Sequence, residues 1–395
     1  MTNLRVARAD PVQGAAPIVR AEGSCLYTAD GRVLVDLFTA YGSVWLGHGH
    51  SAPAQALADQ VGRVWAVGGH PTPVLSEALG ALHRWMPTPL RPAGLYSTGM
   101  EVAEFALRVA RIHSGRNGVL GFAGSMHGKS LATAYLGWDN GDGLAVPHLR
   151  RLPLPDPAGE PQTLEGVRVL LRTGKIGLVM VEPVQGTSGG RCASPWFYRQ
   201  LADLARESET LLAYDEVLTG FHRTGPRFVC EAHGVSPDIL LFGKACGNGF
   251  PVSGIALHPS IHIQAAMLEG STYSGNPLAA SAVKGTLQGL NVLADECALH
   301  ERVNGIAAAF TKHLEQVMLP ERGKASCRTH GALWIAELPT HVDGAALHAS
   351  LYRAGVCVSY SGRQIRLLPA LTIPPEVLDA GLERTATILA ASLRQ

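Results

Sequence analysis

The sequence predicts an α/β fold: a mainly parallel sheet with helices on both faces, followed by a smaller α+β domain. Three observations predict it. Short apolar runs recur at 118–122, 176–181, 211–214, 239–242 and 252–257, each continuous rather than alternating, as strands buried on both faces require. Helix-length segments separate them, which fits parallel crossovers. Polar residues follow at the run ends: Glu182 after 179–181, Asp215 after 211–214, and Lys244 two residues after Phe242. Open α/β sheets gather their active groups at the carboxyl ends of strands.

A chain of 395 residues is too long for one ordinary core. We divide it into an N-terminal segment, 1–50, packing with the small domain, a large domain, 51–292, and a small C-terminal domain, 293–395. Hydrophobic residues make up 46%, so a large core is available. Lys plus Arg number 33 against 32 Asp plus Glu, and no basic block occurs, so neither nucleic acid nor an anionic membrane is an expected partner.

Seven scattered cysteines (Cys25, Cys192, Cys230, Cys246, Cys297, Cys327, Cys357) without a Cys-x-x-Cys pair read as free thiols in a reducing cytoplasm. The sixteen histidines form no His-Glu-x-x-His motif, and Gly47-His48-Gly49-His50 lacks a third ligand nearby, so no metal is expected. No apolar stretch is long enough for a transmembrane helix, and no signal peptide is evident.

In chain order, 18–36 reads as a hairpin turning at Ala29-Asp30-Gly31-Arg32. The loop from Tyr41 to His48 carries aromatics, Tyr41 and Trp45, that serve either as a lid over the core or as a pocket lining. Val102, Phe105, Ala106, Val109 and Ala110 fall at helical spacing, predicting a helix over 100–113 with Ser97 or Thr98 as N-cap. A Ser-Thr-Gly turn opening a helix presents N–H groups and hydroxyls to an anion, although an ordinary capped helix reads the same way. After the strand alternation, a helix runs from Asn276-Pro277 to about residue 292. The remainder alternates strands and helices around 331–336 and 364–368.

The run 239–242 delivers Lys244 into the glycine-rich bend Gly243-Lys244-Ala245-Cys246-Gly247-Asn248-Gly249, with no acidic neighbour in that stretch. Desolvation favours the neutral amine, the nucleophile that adds to carbonyls, although a lysine at a strand end commonly just snorkels to water. The company it keeps sharpens the reading. An anion-binding turn (Ser97, Thr98, Gly99), a carboxylate (Asp215) and a lysine (Lys244) lie on one plausible sheet edge. Pyridoxal 5'-phosphate needs these three, for its phosphate, its ring nitrogen and its aldehyde.

The segment Asp215-Glu216-Val217-Leu218-Thr219-Gly220-Phe221-His222-Arg223-Thr224-Gly225, with Lys244 29 residues after Asp215, resembles the signature of class III (ω-)aminotransferases. These are fold-type-I pyridoxal-phosphate enzymes built on a seven-stranded sheet. They include ornithine and 4-aminobutyrate transaminases and glutamate-1-semialdehyde aminomutase. The likeness runs from about Gly31 to Pro375.

It implies that Lys244 forms the internal aldimine and shuttles a proton, that Asp215 pairs with the ring nitrogen, and that Val217 packs on one ring face. Thr98, Gly99 and Met100 match the phosphate turn. Thr272, in Ser271-Thr272-Tyr273-Ser274-Gly275-Asn276-Pro277, matches the threonine that reaches the partner subunit's phosphate, implying a homodimer with a shared active site. Arg366 matches the arginine that clamps a substrate carboxylate, and Tyr41 an aromatic of the substrate pocket, with Trp45 on the same loop. Met126 and His127, in Met126-His127-Gly128-Lys129, match the segment that covers the cofactor, and Glu182 matches a family acid.

Three departures stand out. Met126 replaces a stacking aromatic, Leu218 a glutamine at the cofactor's phenolic oxygen, and Thr187 a glutamate that pairs with the arginine in some ω-amino-acid transaminases. Arg366 is then open to carboxylates in both half-reactions, which argues against an ornithine- or 4-aminobutyrate-type substrate. The resemblance implies a cytoplasmic, dimeric, ping-pong transaminase acting on an amine or amino acid and an oxo acid. An aminomutase or amino-acid racemase of the same family is the alternative, and a non-catalytic relative the third reading.

Overall fold

A computed structural model describes residues 12, 15–138, 146–263, 270–296, 299–319 and 325–394. Cys297 lies outside the described residues, as do residues 139–145.

The chain opens with β1 (Ile18–Glu22), β2 (Cys25–Thr28) and β3 (Val33–Asp36), an antiparallel set in which the expected turn at 29–32 joins β2 to β3. The hairpin reading missed one strand, because Gly23, at φ +55°, makes a second reversal between β1 and β2. Far along the chain, β13 (Val356–Cys357) pairs in parallel with β3, so this N-terminal sheet is completed by C-terminal sequence.

The central sheet contains β4 (Arg91–Tyr96), β5 (Gly118–Ala123), β6 (Leu149–Pro153), β7 (Ile176–Val181), β8 (Leu211–Asp215), β9 (Ile239–Gly243) and β10 (Ser253–Leu257), in the order β4-β10-β9-β8-β7-β5-β6. Pairs β5/β6, β5/β7, β7/β8 and β8/β9 are parallel, whereas β10 runs antiparallel to both neighbours. β7, β8 and β9 are buried along their whole length. Each Leu or Ile interred there contributes about 1.5–3 kcal/mol of apolar transfer. The two strands absent from the sequence reading, β4 and β6, are the edges; there Arg91, Pro92, Arg150, Arg151 and Pro153 break the apolar run, as unpaired edges tolerate.

The expected helix over 100–113 runs Gly99–Ser114, capped by the Thr98 side chain, which accepts from Glu101 N at 3.1 Å. It ends at Gly115, whose φ of +67° closes the C-terminus. Its buried face is Val102, Ala103, Ala106, Leu107, Val109 and Ala110, while Phe105 is half-buried and stacks on Tyr96. The helix expected after Asn276-Pro277 extends over Pro277–Glu296. A second four-stranded sheet, in the order β11-β12-β15-β14, forms from β11 (Ser326–His330), β12 (Leu333–Glu337), β14 (Ser359–Ser361) and β15 (Gln364–Leu367), with the helix Pro375–Leu393 closing the described chain. Among the described residues, no helix is long and apolar enough to cross a membrane.

Candidate active site

Five strand ends converge. β4 leads to Thr98, β5 to Met126 and His127, β7 to Glu182, β8 ends in Asp215, and β9 hands the chain to Lys244. A cavity of about 320 Å³ is lined by Thr98, Gly99, Met100, Met126, His127, Asp215, Val217 and Lys244 among others. Parallel strands aligned in register carry residues distant in sequence to one edge, which is why these groups meet.

Lys244 has φ +43°, a left-handed conformation costly for a residue with a side chain. Gly243 precedes it in extended backbone with ideal-Cβ space of only 3.2 Å to Val217, so the bend is tightly enclosed. Part of Lys244 stays open to the cavity, yet protein surrounds the ammonium closely enough that burial pulls its pKa below the usual lysine range. Glu182 and Asp215 oppose that shift, and Arg366 and Arg223 add to it. The expectation that this lysine lacks acidic neighbours held only along the chain; β7 and β8 bring two carboxylates beside it.

Asp215 is buried, and its Oδ2 lies 2.7 Å from His127 Nδ1. An ionised carboxylate only accepts, so Nδ1 donates. Oδ1 accepts from Val217 N at 3.2 Å, which turns the Val217 side chain toward Gly99. A Cβ at Gly99 would sit 3.2 Å from Val217, so the start of the helix and the side chain after Asp215 approach as closely as glycine allows. The first N–H groups of the helix, at Gly99 and Met100, have no acceptor within it and open on the cavity wall. His127 Nε2 is buried without a protein partner. A cavity of this size, with an anion cradle at one end, a fixed carboxylate and an enclosed lysine, fits a phosphorylated pyridine aldehyde.

Glu182 Oε2 accepts from Met126 N at 2.8 Å and its Oε1 from Gly186 N at 3.1 Å. Burial first, then Asp215, raises its pKa above the usual carboxylate range. The Gly186 carbonyl in turn accepts from Arg366 Nη1 at 3.0 Å, while Nε and Nη2 of Arg366 both donate to Ser359 Oγ, at 3.2 and 2.9 Å. Arg366 is only 7% exposed, and burial lowers its pKa. Its hydrogen-bond partners are Ser359 and Gly186, with no carboxylate among the described residues within ion-pair distance. Of five guanidinium N–H groups, two remain, one on each terminal nitrogen.

Tyr41 lies over this guanidinium at 5.9 Å and meets Phe38 edge-on. Thr39, Ala40 and Tyr41 have φ of +44°, +49° and +60°, three consecutive left-handed residues. Asp36 Oδ1, accepting from Phe38 N and Thr39 N, holds this turn, and His48 Nε2 stands 2.9 Å from the other oxygen. The glycine-histidine pair at 47–50 is thus structural: His50 caps the helix Ser51–Val61.

Trp45 departs from its assignment to the substrate pocket. It is fully buried, donates to Phe221 O at 2.8 Å, and stacks under the Arg223 guanidinium at 3.8 Å. An indole with an apolar body and one donor is satisfied in the core, so loop position misled. Thr272 is exposed and does not line the cavity of its own chain. Leu218, which replaces a polar residue of the resemblance, is 8% exposed and packs in a small apolar cluster with Val184, Leu333, Ile335 and Leu368. The Thr187 hydroxyl is buried without a partner.

Two residues escaped the sequence reading. Ser359 orients Arg366 from β14, and no local pattern marks a lone serine. Arg223 is fully buried and donates to the carbonyls of Gly42, Ala332 and Pro369. It belonged to the quoted signature, but only its burial reveals its task.

A family model described as Aminotransferase class-III matches residues 7–389. The chain is 32% identical over 273 residues to the LysW-aminoadipate semialdehyde/glutamate semialdehyde transaminase of Sulfolobus acidocaldarius, covering 67% of this chain and 68% of that one. It is 30% identical over 394 residues to the succinylornithine transaminase of Salmonella typhimurium, covering 95% and 93%. In fold it is similar to the ornithine delta-aminotransferase of Plasmodium falciparum, with TM-score 0.83 and 24% identity over 99% of this chain and 97% of that one. It is likewise similar to the ornithine aminotransferase of Toxoplasma gondii, described with partial occupancy of PLP at its active site, with TM-score 0.82 and 24% identity over 97% and 92%.

Proposed function

The chain belongs to the class-III aminotransferase family, and from that premise we propose how its own residues carry out pyridoxal-phosphate-dependent transamination. Pyridoxal phosphate, when bound, supplies an aldehyde and an electron-withdrawing ring. Lys244 is the reactive amine: burial keeps a share of it neutral near pH 8, and as a base it takes and returns the proton at the substrate's α-carbon. Asp215, held by His127, would accept from the ring nitrogen of the bound cofactor and keep that nitrogen protonated. The N–H groups of Gly99 and Met100 take the phosphate at the positive end of their helix. Val217 and Met126, both lining the cavity, would hold the ring between them.

Arg366 binds the carboxylate of the substrate, with Tyr41 as the wall above it. The observation that carries this reading is a buried guanidinium with two N–H groups unspent and no carboxylate to neutralise it. A bidentate carboxylate satisfies both at once. With Thr187 beside Gly186, no acid among the described residues pairs with Arg366, so the donor is an amino acid and the acceptor an oxo acid.

Two copies build the site. Thr272, exposed and absent from the lining of its own chain's cavity, would reach the phosphate held by the other. A groove of about 1350 Å³ runs along the helix Gly99–Ser114 and reaches 146–149, a surface on which a second copy could seat. Its lining mixes apolar residues (Phe105, Leu107, Val146) with charged ones (Glu101, Glu104, Arg111), and it shares Thr98 and Met100 with the cofactor cavity.

A panel of amino-acid donors and oxo-acid acceptors, read by cofactor absorbance, tests the function. Half-reactions that proceed with amino acids and reverse with oxo acids support it, and their loss in Lys244→Ala assigns the lysine. A carboxylate-free amine turning over as well as any amino acid would overturn the role of Arg366.

A further inference from the structure

One carboxylate connects the two halves of the site. Glu182, 6% exposed at the end of β7, accepts from Met126 N through one oxygen and from Gly186 N through the other. The first contact holds the loop that carries Met126 and His127, hence the partner of Asp215. The second holds a peptide whose carbonyl receives Arg366 Nη1. Gly186 thus has its N–H on Glu182 and its C=O on Arg366. It is also closed to any side chain, since a Cβ there would sit 2.2 Å from Leu218 Cδ2. Leu218 belongs to the segment after Asp215, so the peptide is wedged from a third direction.

We propose that Glu182 is a positioning residue that sets the cofactor-covering loop and the Arg366 carboxylate clamp in register through the Gly186 peptide. Both oxygens of Glu182 accept, and neither donor has a second acceptor among the described residues. A buried N–H left without its acceptor must shift or remain unpaired. Loss of Glu182 therefore moves the Met126 loop and the guanidinium together, although Glu182 does not line the cofactor cavity. The inference rests on the transaminase reading only in naming what the two halves bind.

The test uses two titrations, neither of which needs turnover: pyridoxal phosphate into apo-protein, followed by fluorescence quenching, and glutarate into cofactor-loaded protein, followed by absorbance. In Glu182→Gln the amide nitrogen cannot accept, so one of the two N–H groups faces a donor. Both affinities are expected to fall, each by about tenfold, the loss of one charge-assisted hydrogen bond. Met126→Ala should weaken the first titration alone, and Ser359→Ala the second alone. Glu182→Asp, which keeps both oxygens on a shorter arm, should weaken both by a smaller factor, and it carries the same test where the glutamine variant does not fold.

Loss of one affinity without the other in the Glu182 variants overturns the proposal. So does a lowered melting temperature with both affinities intact. Wild-type amino transfer is measured separately. Its absence alongside paired losses in the titrations would remove the activity reading and leave the positioning role standing.

Discussion

His127 Nδ1 and Asp215 Oδ2 lie 2.7 Å apart, both side chains withdrawn from water, one from the loop after β5 and the other from the end of β8. The bond fixes the orientation of the carboxylate, and the Val217 N–H fixes its second oxygen.

His127→Ala leaves Asp215 buried with one donor fewer and free to rotate. We expect the affinity of apo-protein for pyridoxal phosphate to fall about tenfold, the worth of a charge-assisted hydrogen bond. His127→Asn, which can still donate, should recover part of it. Equal affinity in all three proteins would mean that the histidine only fills space.

Ser359 receives two donors from Arg366 and leaves the two free N–H groups in place. Ser359→Ala should raise KM for oxo acids by about tenfold with kcat changed less, because the clamp loosens without the reacting atoms being touched. Arg366→Lys should raise KM further, since an ammonium cannot form the fork. Steady-state kinetics with a 2-oxo acid and with a carboxylate-free aldehyde separate the cases, the aldehyde being unaffected.

Lys244 has its pKa pulled down from 10.5 to about 8, chiefly by burial. Below that value the ammonium dominates, and above it the amine. The rate at which apo-protein takes up pyridoxal phosphate should therefore rise about tenfold per pH unit up to roughly pH 8 and then level. An exposed lysine would continue rising toward 10.5. Stopped-flow absorbance from pH 6 to 10 distinguishes the curves. In Glu182→Gln the midpoint should move lower still, because a charge that favours the ammonium is gone.

The proposal that Thr272 serves its partner's site has a direct test. Thr272→Val should weaken cofactor binding in the homodimer. A hybrid of one Lys244→Ala chain with one Thr272→Val chain should hold one intact site, pairing Lys244 of the second with Thr272 of the first. Half the wild-type activity per dimer is expected. Hybrids no more active than their parents would mean that the site is built within one chain.

Arg223 spans Gly42, Ala332 and Pro369, carbonyls from the N-terminal turn and the C-terminal third of the chain. Burial alone brings its pKa down to about 9, so it remains charged at neutral pH. Arg223→Met strands three buried carbonyls and should cost about 1–3 kcal/mol for each left unsatisfied, read from the denaturant midpoint. Arg223→Lys should cost nearly as much, because a single ammonium does not reproduce the planar donor geometry on Trp45.

What the linear sequence determined was the alternation of buried strands and helices, and with it which residues stand at strand ends. Continuous apolar runs mark β5, β7, β8 and β9, so Glu182, Asp215 and Lys244 were legible as edge residues before any fold was seen. The capped turn at Thr98 was legible for a similarly local reason: caps and helical spacing are written within a few residues. The edge strands β4 and β6 were not, since exposed strands need no apolar pattern.

Tertiary structure alone decided the contacts that give those residues their chemistry. The partnership of His127 with Asp215 spans 88 positions and that of Gly186 with Arg366 spans 180, and no periodicity encodes such distances. Trp45 and Tyr41 sit four residues apart in one loop, and only packing separates them: one indole is enclosed beneath Arg223, while one phenol is held over Arg366 by a left-handed turn. Desolvation, which pulls the pKa of Lys244 down, is likewise a property of everything packed around it, and packing exists only once the chain has closed on itself.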